Sequence, residues 1–173
     1  MTSATTVTGP RPPHAVGVRT AGAGDAAALH GLSQEFVREG SLRARPLESY
    51  AGHAGEFLVA ESAAHGVEGC VGLRCHAASP AGGPVRPAVV YNFCVARAGQ
   101  GRGTGSALLA AVVDEARARG VTALFTATTG SGRLFLRHGF VLGGVQDAPA
   151  AWLAALDPRR GSRVLSLALR GPR

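Results

Sequence analysis

The sequence predicts a single α/β domain with a mixed central β-sheet flanked by helices. Three observations carry that prediction. Short apolar runs of strand length alternate along the chain with stretches whose apolar residues recur at helical spacing. The 173 residues suffice for one sizeable core and are too few for two ordinary domains. At 46% apolar and 17% charged residues, the composition is that of a folded chain rather than a disordered one.

Residues 1–14 are rich in Thr, Pro and Gly without periodicity and read as a flexible tail, leaving residues 15–173 for the domain. Residues 15–20 form a short strand candidate. Gly24 and Asp25 then cap a helical stretch in which Leu29, Leu32, Phe36 and Val37 share a face, and Gly40 stops it. Residues 46–54 make a second short helix. Residues 57–60 and 69–75 read as paired strands joined through the polar turn at His65 and Gly66. Pro80, Gly82, Gly83, Pro84 and Pro87 mark a loop. Residues 88–95 are almost continuously apolar, as in a central strand buried on both faces. From 104 to 119, Leu108, Leu109, Val112, Val113 and Ala116 form a helical stripe that Gly120 ends. Residues 121–127 read as a strand, 131–138 as a short helix, and 140–145 and 164–169 as the last two strands.

Composition also excludes several functions. No apolar run approaches the roughly 20 residues of a membrane span, and the first residues lack a basic cluster and an apolar signal core. A cytoplasmic protein without a membrane role is therefore expected. All 18 basic residues are arginine, and the formal charge is +7. They are spread through the chain with no basic block or nucleic-acid motif, so nucleic acid is not an expected partner. The charge equally suits a small anionic ligand such as a phosphorylated cofactor. Cys70, Cys75 and Cys94 are odd in number and lack a C-x-x-C spacing, which argues against a disulfide framework or a structural zinc site. No metal is implied.

The informative segment is Gln100-Gly101-Arg102-Gly103-Thr104-Gly105-Ser106, set between a buried strand and an amphipathic helix. Such a turn aims free backbone N–H groups and the positive end of a helix dipole at one spot, and glycines let a large anion approach. A pyrophosphate fits it. A P-loop is excluded because the chain has no lysine. The dinucleotide fingerprint fails because Ser106 and Leu108 stand where its third glycine belongs. The remaining pattern, Gln100-x-x-Gly103-x-Gly105, resembles the GNAT acetyltransferase superfamily. Leu134-Phe135-Leu-Arg-His-Gly139-Phe140 matches that superfamily's downstream helix and strand.

The resemblance implies that residues 100–106 hold the pyrophosphate of acetyl-CoA or another acyl-CoA. It further implies that backbone groups of Phe93, Cys94 and Val95 hold the pantetheine and polarise the acetyl carbonyl. Phe135 stands where many relatives carry a tyrosine, the proposed acid for the leaving thiolate, and it has no proton to give. Transfer is direct in this superfamily; a covalent intermediate on Cys94 is the lesser alternative. Tyr91, Asn92 and Glu61 are candidates for ordering a water that deprotonates the acceptor amine, set against a packed Tyr91, a capped Asn92 and a solvated Glu61. Arg97 and Arg102 lie near the loop and suit an anionic donor.

A narrower resemblance lies outside the cofactor loop. Glu39-Gly40-Ser41-Leu42-Arg43-Ala44-Arg45, the run from Leu124 to Thr129, and Arg160-Gly161-Ser162-Arg163-Val164-Leu165 are similar to segments of N-acetylglutamate synthase-type amino-acid acetyltransferases. An aromatic residue without a hydroxyl at the Phe135 position is common in that branch. The resemblance assigns Arg160 and Ser162 to an acceptor α-carboxylate, and Arg45 with Arg43 to a side-chain carboxylate. Guanidinium forks match carboxylates bidentately; solvated surface arginines are the plain alternative. The function implied is transfer of an acetyl group from acetyl-CoA to the amino group of a small amino acid, glutamate-like. The alternatives are acylation of another amine or hydroxyl in specialised metabolism, from acyl-CoA or an acyl carrier protein thioester, and a catalytically silent fold that binds CoA or a partner protein. Homodimerisation through sheet edges is left open.

Overall fold

The computed structural model describes residues 16–77 and 85–169; the tail at 1–14 and the loop prolines Pro80 and Pro84 lie outside them. Seven strands form one sheet: β1 (Gly17–Thr20), β2 (Phe57–Ser62), β3 (Gly66–Cys75), β4 (Pro87–Val95), β5 (Ala123–Thr128), β6 (Val141–Leu142) and β7 (Arg163–Ala168). Their order is β1-β2-β3-β4-β5-β7-β6. Every neighbouring pair is antiparallel except β4 with β5, which are parallel. A parallel pair needs a crossover, and α3 (Thr104–Ala118) supplies it. The expected mixed sheet with flanking helices is present.

Each face of the sheet has its own core. On one side Leu108, Leu109, Val112, Val113 and Ala116 of α3 bury their stripe against Leu58, Val71, Leu73, Val90 and Leu124. On the other, Leu29 of α1 (Ala26–Arg38) and Tyr50 of α2 (Leu47–Gly52) pack with Phe57, Val59, Cys70 and Cys94. β4 is covered by both, which accounts for its continuous apolar run.

Two irregularities in β4 position the site. Pairing with β5 covers only Pro87, Ala88 and Val89, so beyond Val89 the two strands diverge and open a gap. Opposite the gap, the β3–β4 register shifts between Cys70 and Gly72. Asn92 sits at this bulge with φ +49°, a left-handed conformation that asparagine tolerates better than most residues.

Three expectations need correction. The strand expected over 140–145 shrinks to β6, because Gly143 and Gly144 turn away with φ of +81° and +70°. Asp25 caps a single tight turn (Ala23–Asp25) ahead of α1, accepting from the Gly22 N–H at 2.8 Å. A helix the sequence reading missed, α5 (Ala150–Ala154), lies between β6 and β7. It is too short to show a periodic stripe, although Pro149 before an Ala-rich run is a helix-start signal.

Candidate active site

The first cleft opens where β4 runs into α3 by way of the glycine turn. Gln100 braces the turn by donating from Nε2 to the Val95 carbonyl at 2.9 Å. Gly101 and Gly103 have φ of +71° and +88°, and a Cβ built on either would point into open space. Ala107 N–H is bonded to the Gly103 carbonyl at 2.9 Å, so the amides of Thr104, Gly105 and Ser106 precede the first full helical bond. Thr104 Oγ1 is the one buried side-chain polar atom without a partner among the described residues. An anion-sized opening beside free amides fits a phosphate-bearing ligand. The cleft measures about 480 Å³; Phe93, Val95, Gln100, Gly101, Gly103, Gly105 and Ser106 line it, with Leu134 and Arg137 from α4 (Arg133–Arg137). Arg102 is exposed on the same turn. Arg137 was missed by the sequence reading, although it lies inside the Phe135–Gly139 motif.

Several expected residues stand elsewhere. The Cys94 side chain faces away from this cleft, with its Sγ 3.6 Å from that of Cys70. The Cys70 thiol is pushed up by the Cys94 contact and by burial, so the pair is a buried packing element and not an exposed thiolate. Phe135 lies beneath the cleft, with ring centroids 5.5 Å from Phe93 and 5.3 Å from Phe140. It supports the Phe93 wall. Glu61 lines neither cleft; its carboxylate pairs with Arg19 at 2.8 Å, and Arg19 also binds Asp25 at 2.8 Å. Arg97 is taken up by Glu35 and Glu39 of the α1 end, so its charge is neutralised there.

A second cleft of about 360 Å³ lies against the opposite face of β4. It brings together Arg43, Arg45, Arg160, Ser162, Tyr91 and Asn92, all of them expected at the site from sequence. Arg43 donates from Nη2 to the Ala155 carbonyl at 2.8 Å, and Arg160 from Nη2 to those of Gly40 and Ser41 at 2.9 and 3.2 Å. The two arginines thus tie the segment after α1 to the segment after α5, and each keeps further N–H donors. Among the described residues Arg45 donates only to the amide oxygen of Asn92, at 3.3 Å, and its guanidinium carbon lies 5.0 Å from the Tyr91 ring centre. Burial lowers its pKa, and the Arg74 and Arg43 charges push the same way. Arg43, Arg45 and Arg160 have no carboxylate partner among the described residues, whereas Arg74 and Arg119 each have one and Arg19 and Arg97 each have two. A half-buried cation beside other cations, paired with a neutral amide, lacks an anion.

Tyr91 and Asn92 are both committed to other bonds. The Tyr91 hydroxyl donates to Glu56 at 2.6 Å, and burial followed by the Glu56 carboxylate raises its pKa. Asn92 Oδ1 accepts from Arg45 and from the Tyr50 hydroxyl at 3.2 Å; Nδ2 donates to Ser33 Oγ at 2.9 Å and to Cys70 Sγ at 3.6 Å. Every hydrogen-bonding position of that amide is occupied, so Asn92 fixes the bulge and orients Arg45. Neither side chain is placed to take a proton. Glu56, Tyr50, Arg74, His76 and Trp152 complete this region and were not singled out as site residues from sequence. The Arg74–Tyr91–Glu56 cluster joins three elements, a contact that no local spacing announces.

A strand splayed from its parallel neighbour, a phosphate-type turn at the opening and a second cleft across the same strand define the acetyltransferase type of α/β fold. The family model described as "Acetyltransferase (GNAT) domain" matches residues 53–142, and the chain belongs to that family. An amino-acid acetyltransferase of Neisseria meningitidis is 28% identical over 134 residues, 78% of this chain and 29% of that protein. One from Shewanella oneidensis is 40% identical over 65 residues, 38% of this chain and 15% of that protein. Among solved structures, N-acetylglutamate synthase of Neisseria gonorrhoeae, complexed with coenzyme A and N-acetyl-glutamate, superposes with a TM-score of 0.78 at 27% identity. That match covers 90% of this chain and 35% of the synthase. A Mycobacterium tuberculosis protein in complex with CoA shares the fold at TM-score 0.71 and 21% identity, with 88% of this chain and 99% of that chain covered. The chain therefore spans about 29% of the length of the Neisseria relative and 35% of the synthase chain. Among the described residues, no helix is long and apolar enough to cross a membrane.

Proposed function

We propose that the chain transfers an acetyl group from acetyl-CoA directly to the amino group of a small acidic amino acid, with glutamate as the reference acceptor. The observation that carries the proposal is that the two clefts abut on consecutive residues of β4: Phe93 lines the glycine-turn cleft and Asn92 lines the arginine cleft. A thioester entering past the first and an amine held in the second would meet at the gap beyond Val89. The relatives named for amino-acid acetylation, and the synthase bound to coenzyme A and N-acetyl-glutamate, support the same reading.

Acetyl-CoA supplies the activated acyl group. Residues 101–106 would hold its pyrophosphate through backbone N–H groups, with Arg137 and Arg102 as nearby cations. Beyond Val89, backbone groups on the β5 side of β4 have no strand partner among the described residues and are available to the pantetheine and the thioester carbonyl. Arg45 would take an acceptor carboxylate, and Arg43, Arg160 and Ser162 would fix the other. The amine nitrogen attacks the thioester carbon, the C–S bond breaks, and the amine proton leaves as the CoA thiolate gains one. With Tyr91 and Asn92 engaged and Phe135 protonless, cleft water carries those protons.

The test is free-thiol release from acetyl-CoA across a panel of amino acids. Turnover confined to acidic members is the expected result; silence across the panel, with acetyl-CoA binding intact, would reject the amino-acid acceptor.

A further inference from the structure

Among the described residues, four arginines line the acceptor cleft, Arg43, Arg45, Arg74 and Arg160, against one acidic residue, Asp157. The Asp157 carboxylate is occupied: it caps the short turn Pro158–Arg160 by accepting the Arg159 N–H at 2.9 Å. A second carboxylate, Glu56, stands just behind the lining, at the residue before β2. Arg74 of β3 donates to it from Nε at 3.0 and 3.3 Å. The Tyr91 hydroxyl donates to the same carboxylate at 2.6 Å, and Arg74 Nη2 reaches that hydroxyl at 3.4 Å.

Tyr91 brings this carboxylate toward Arg45. The Arg45 and Arg74 guanidinium carbons both lie 5.0 Å from the Tyr91 ring centre. Glu56 is bonded to the hydroxyl of that same ring, so Glu56 and Arg45 are within about 10 Å, no farther apart than a Debye length at ~0.1 M salt. The ring is fixed in place. It packs edge-on against Phe57 with centroids 5.3 Å apart, and a Cβ at Gly72, its partner on β3, would lie 2.6 Å from ring carbons. The glycine leaves the room the ring fills.

The two arginines on this ring therefore differ in one respect: Arg74 has a carboxylate and Arg45 has none. Removing one partner of a partly desolvated ion pair leaves the other charge to seek a new one. A released Glu56 would be drawn to Arg45 and would repel an incoming carboxylate; paired as it is, it does neither.

We propose that Arg74 is a positioning residue: it neutralises Glu56 and holds that carboxylate behind the Tyr91 ring, so that Arg45 stays open to the carboxylate of the acceptor. The inference rests on the acidic-acceptor reading above, and it gives Arg74 no contact with the acceptor itself.

The experiment is thiol release from acetyl-CoA with glutamate, by the wild-type protein, Arg74→Gln and the double variant Glu56→Gln/Arg74→Gln, alongside calorimetric acetyl-CoA binding. Arg74→Gln should raise the glutamate KM about tenfold or more, with kcat within about threefold and the acetyl-CoA Kd within about twofold. The double variant has no carboxylate to release, and its KM should return to within about threefold of wild type. A direct contact between Arg74 and the acceptor, or a packing role for the pair, would instead leave the double variant at least as impaired as the single one. A KM unchanged in Arg74→Gln, or no recovery in the double variant, would overturn the positioning role and leave the amino-acid reading intact. Should Arg74→Gln fail to fold, the double variant decides alone: a near-wild-type KM supports the role and a raised one overturns it. Wild-type protein that binds acetyl-CoA and turns over no acidic amino acid would overturn both readings.

Discussion

The two clefts on either side of β4 recognise their ligands by opposite means. The glycine-turn cleft presents backbone: positive-φ glycines and helix-end amides, all within residues 101–106. The arginine cleft presents side chains brought together from β3, β4, α5, the segment after α1 and the segment after α5. A backbone site depends on conformation and tolerates little substitution. A side-chain site depends on charge and reach, so specificity can be changed there without disturbing the donor. On the proposed reading, the donor site is therefore set by backbone conformation, and the acceptor site is where side chains would set selectivity.

The largest expected effect separates the clefts outright. Gly103→Val forces a β-branched residue to φ +88° and places its methyl groups in the space the pyrophosphate needs. Acetyl-CoA affinity measured calorimetrically should fall about a hundredfold or more, and retained affinity would remove the turn from the donor site. Arg45→Ala is the converse. Loss of a desolvated, charge-assisted contact costs about 2–5 kcal/mol; the acceptor KM should rise at least thirtyfold while the acetyl-CoA Kd stays within twofold. A change in both constants would mean that the clefts are not separate. Arg160→Ala should act more weakly, raising the acceptor KM about tenfold and lowering Tm as well, because Arg160 also holds the Gly40 and Ser41 carbonyls.

Two smaller effects sharpen the comparison. With no side chain among the described residues near the transfer point placed as a base, kcat/KM should climb about tenfold per pH unit below the pKa of the acceptor amine. A plateau set by a protein group would point to a base in the acceptor cleft. Asp25 belongs to neither cleft and serves as a control. Arg19, then the Gly22 amide, holds its carboxyl at about 2, below its ordinary value of 3.8. Because the folded-state pKa is lowered, the Asp25 contribution to stability is present above about pH 4 and is lost as pH falls through about 2. Asp25→Asn should therefore lower the unfolding midpoint at pH 7 and have little effect near pH 2, with acceptor KM unchanged at neutral pH.

The same contrast explains what was legible in the sequence. The donor site is local: Gln100, Gly103 and Gly105 sit within six residues, and the strand before them and the helix after them are strongly patterned. Sheet, α1, α3 and turn were all readable for that reason. The acceptor site was readable only through its arginines, Arg43, Arg45 and Arg160. Their role in tying two distant segments together, and the Arg74–Tyr91–Glu56 cluster, come from strand register. Glu61 and Arg97 misled because a charged residue near a strand end or loop looks available until its partner is known; Arg19 and Glu35 with Glu39 are those partners. For Cys94 the structure speaks only to the thiol: the bulge at Asn92 resets the alternation so that the Phe93 and Val95 side chains line the donor cleft and the Cys94 side chain does not, which removes the covalent alternative and leaves the backbone role untouched. A bulge leaves no signature in spacing alone.

The most direct test is thiol release from acetyl-CoA with an acidic amino acid beside the same molecule with its carboxylates blocked as methyl esters. The two clefts described here predict rapid release with the free acid and a loss of about a hundredfold or more in kcat/KM for the diester. Equal rates would show that the unneutralised arginines do not select the acceptor.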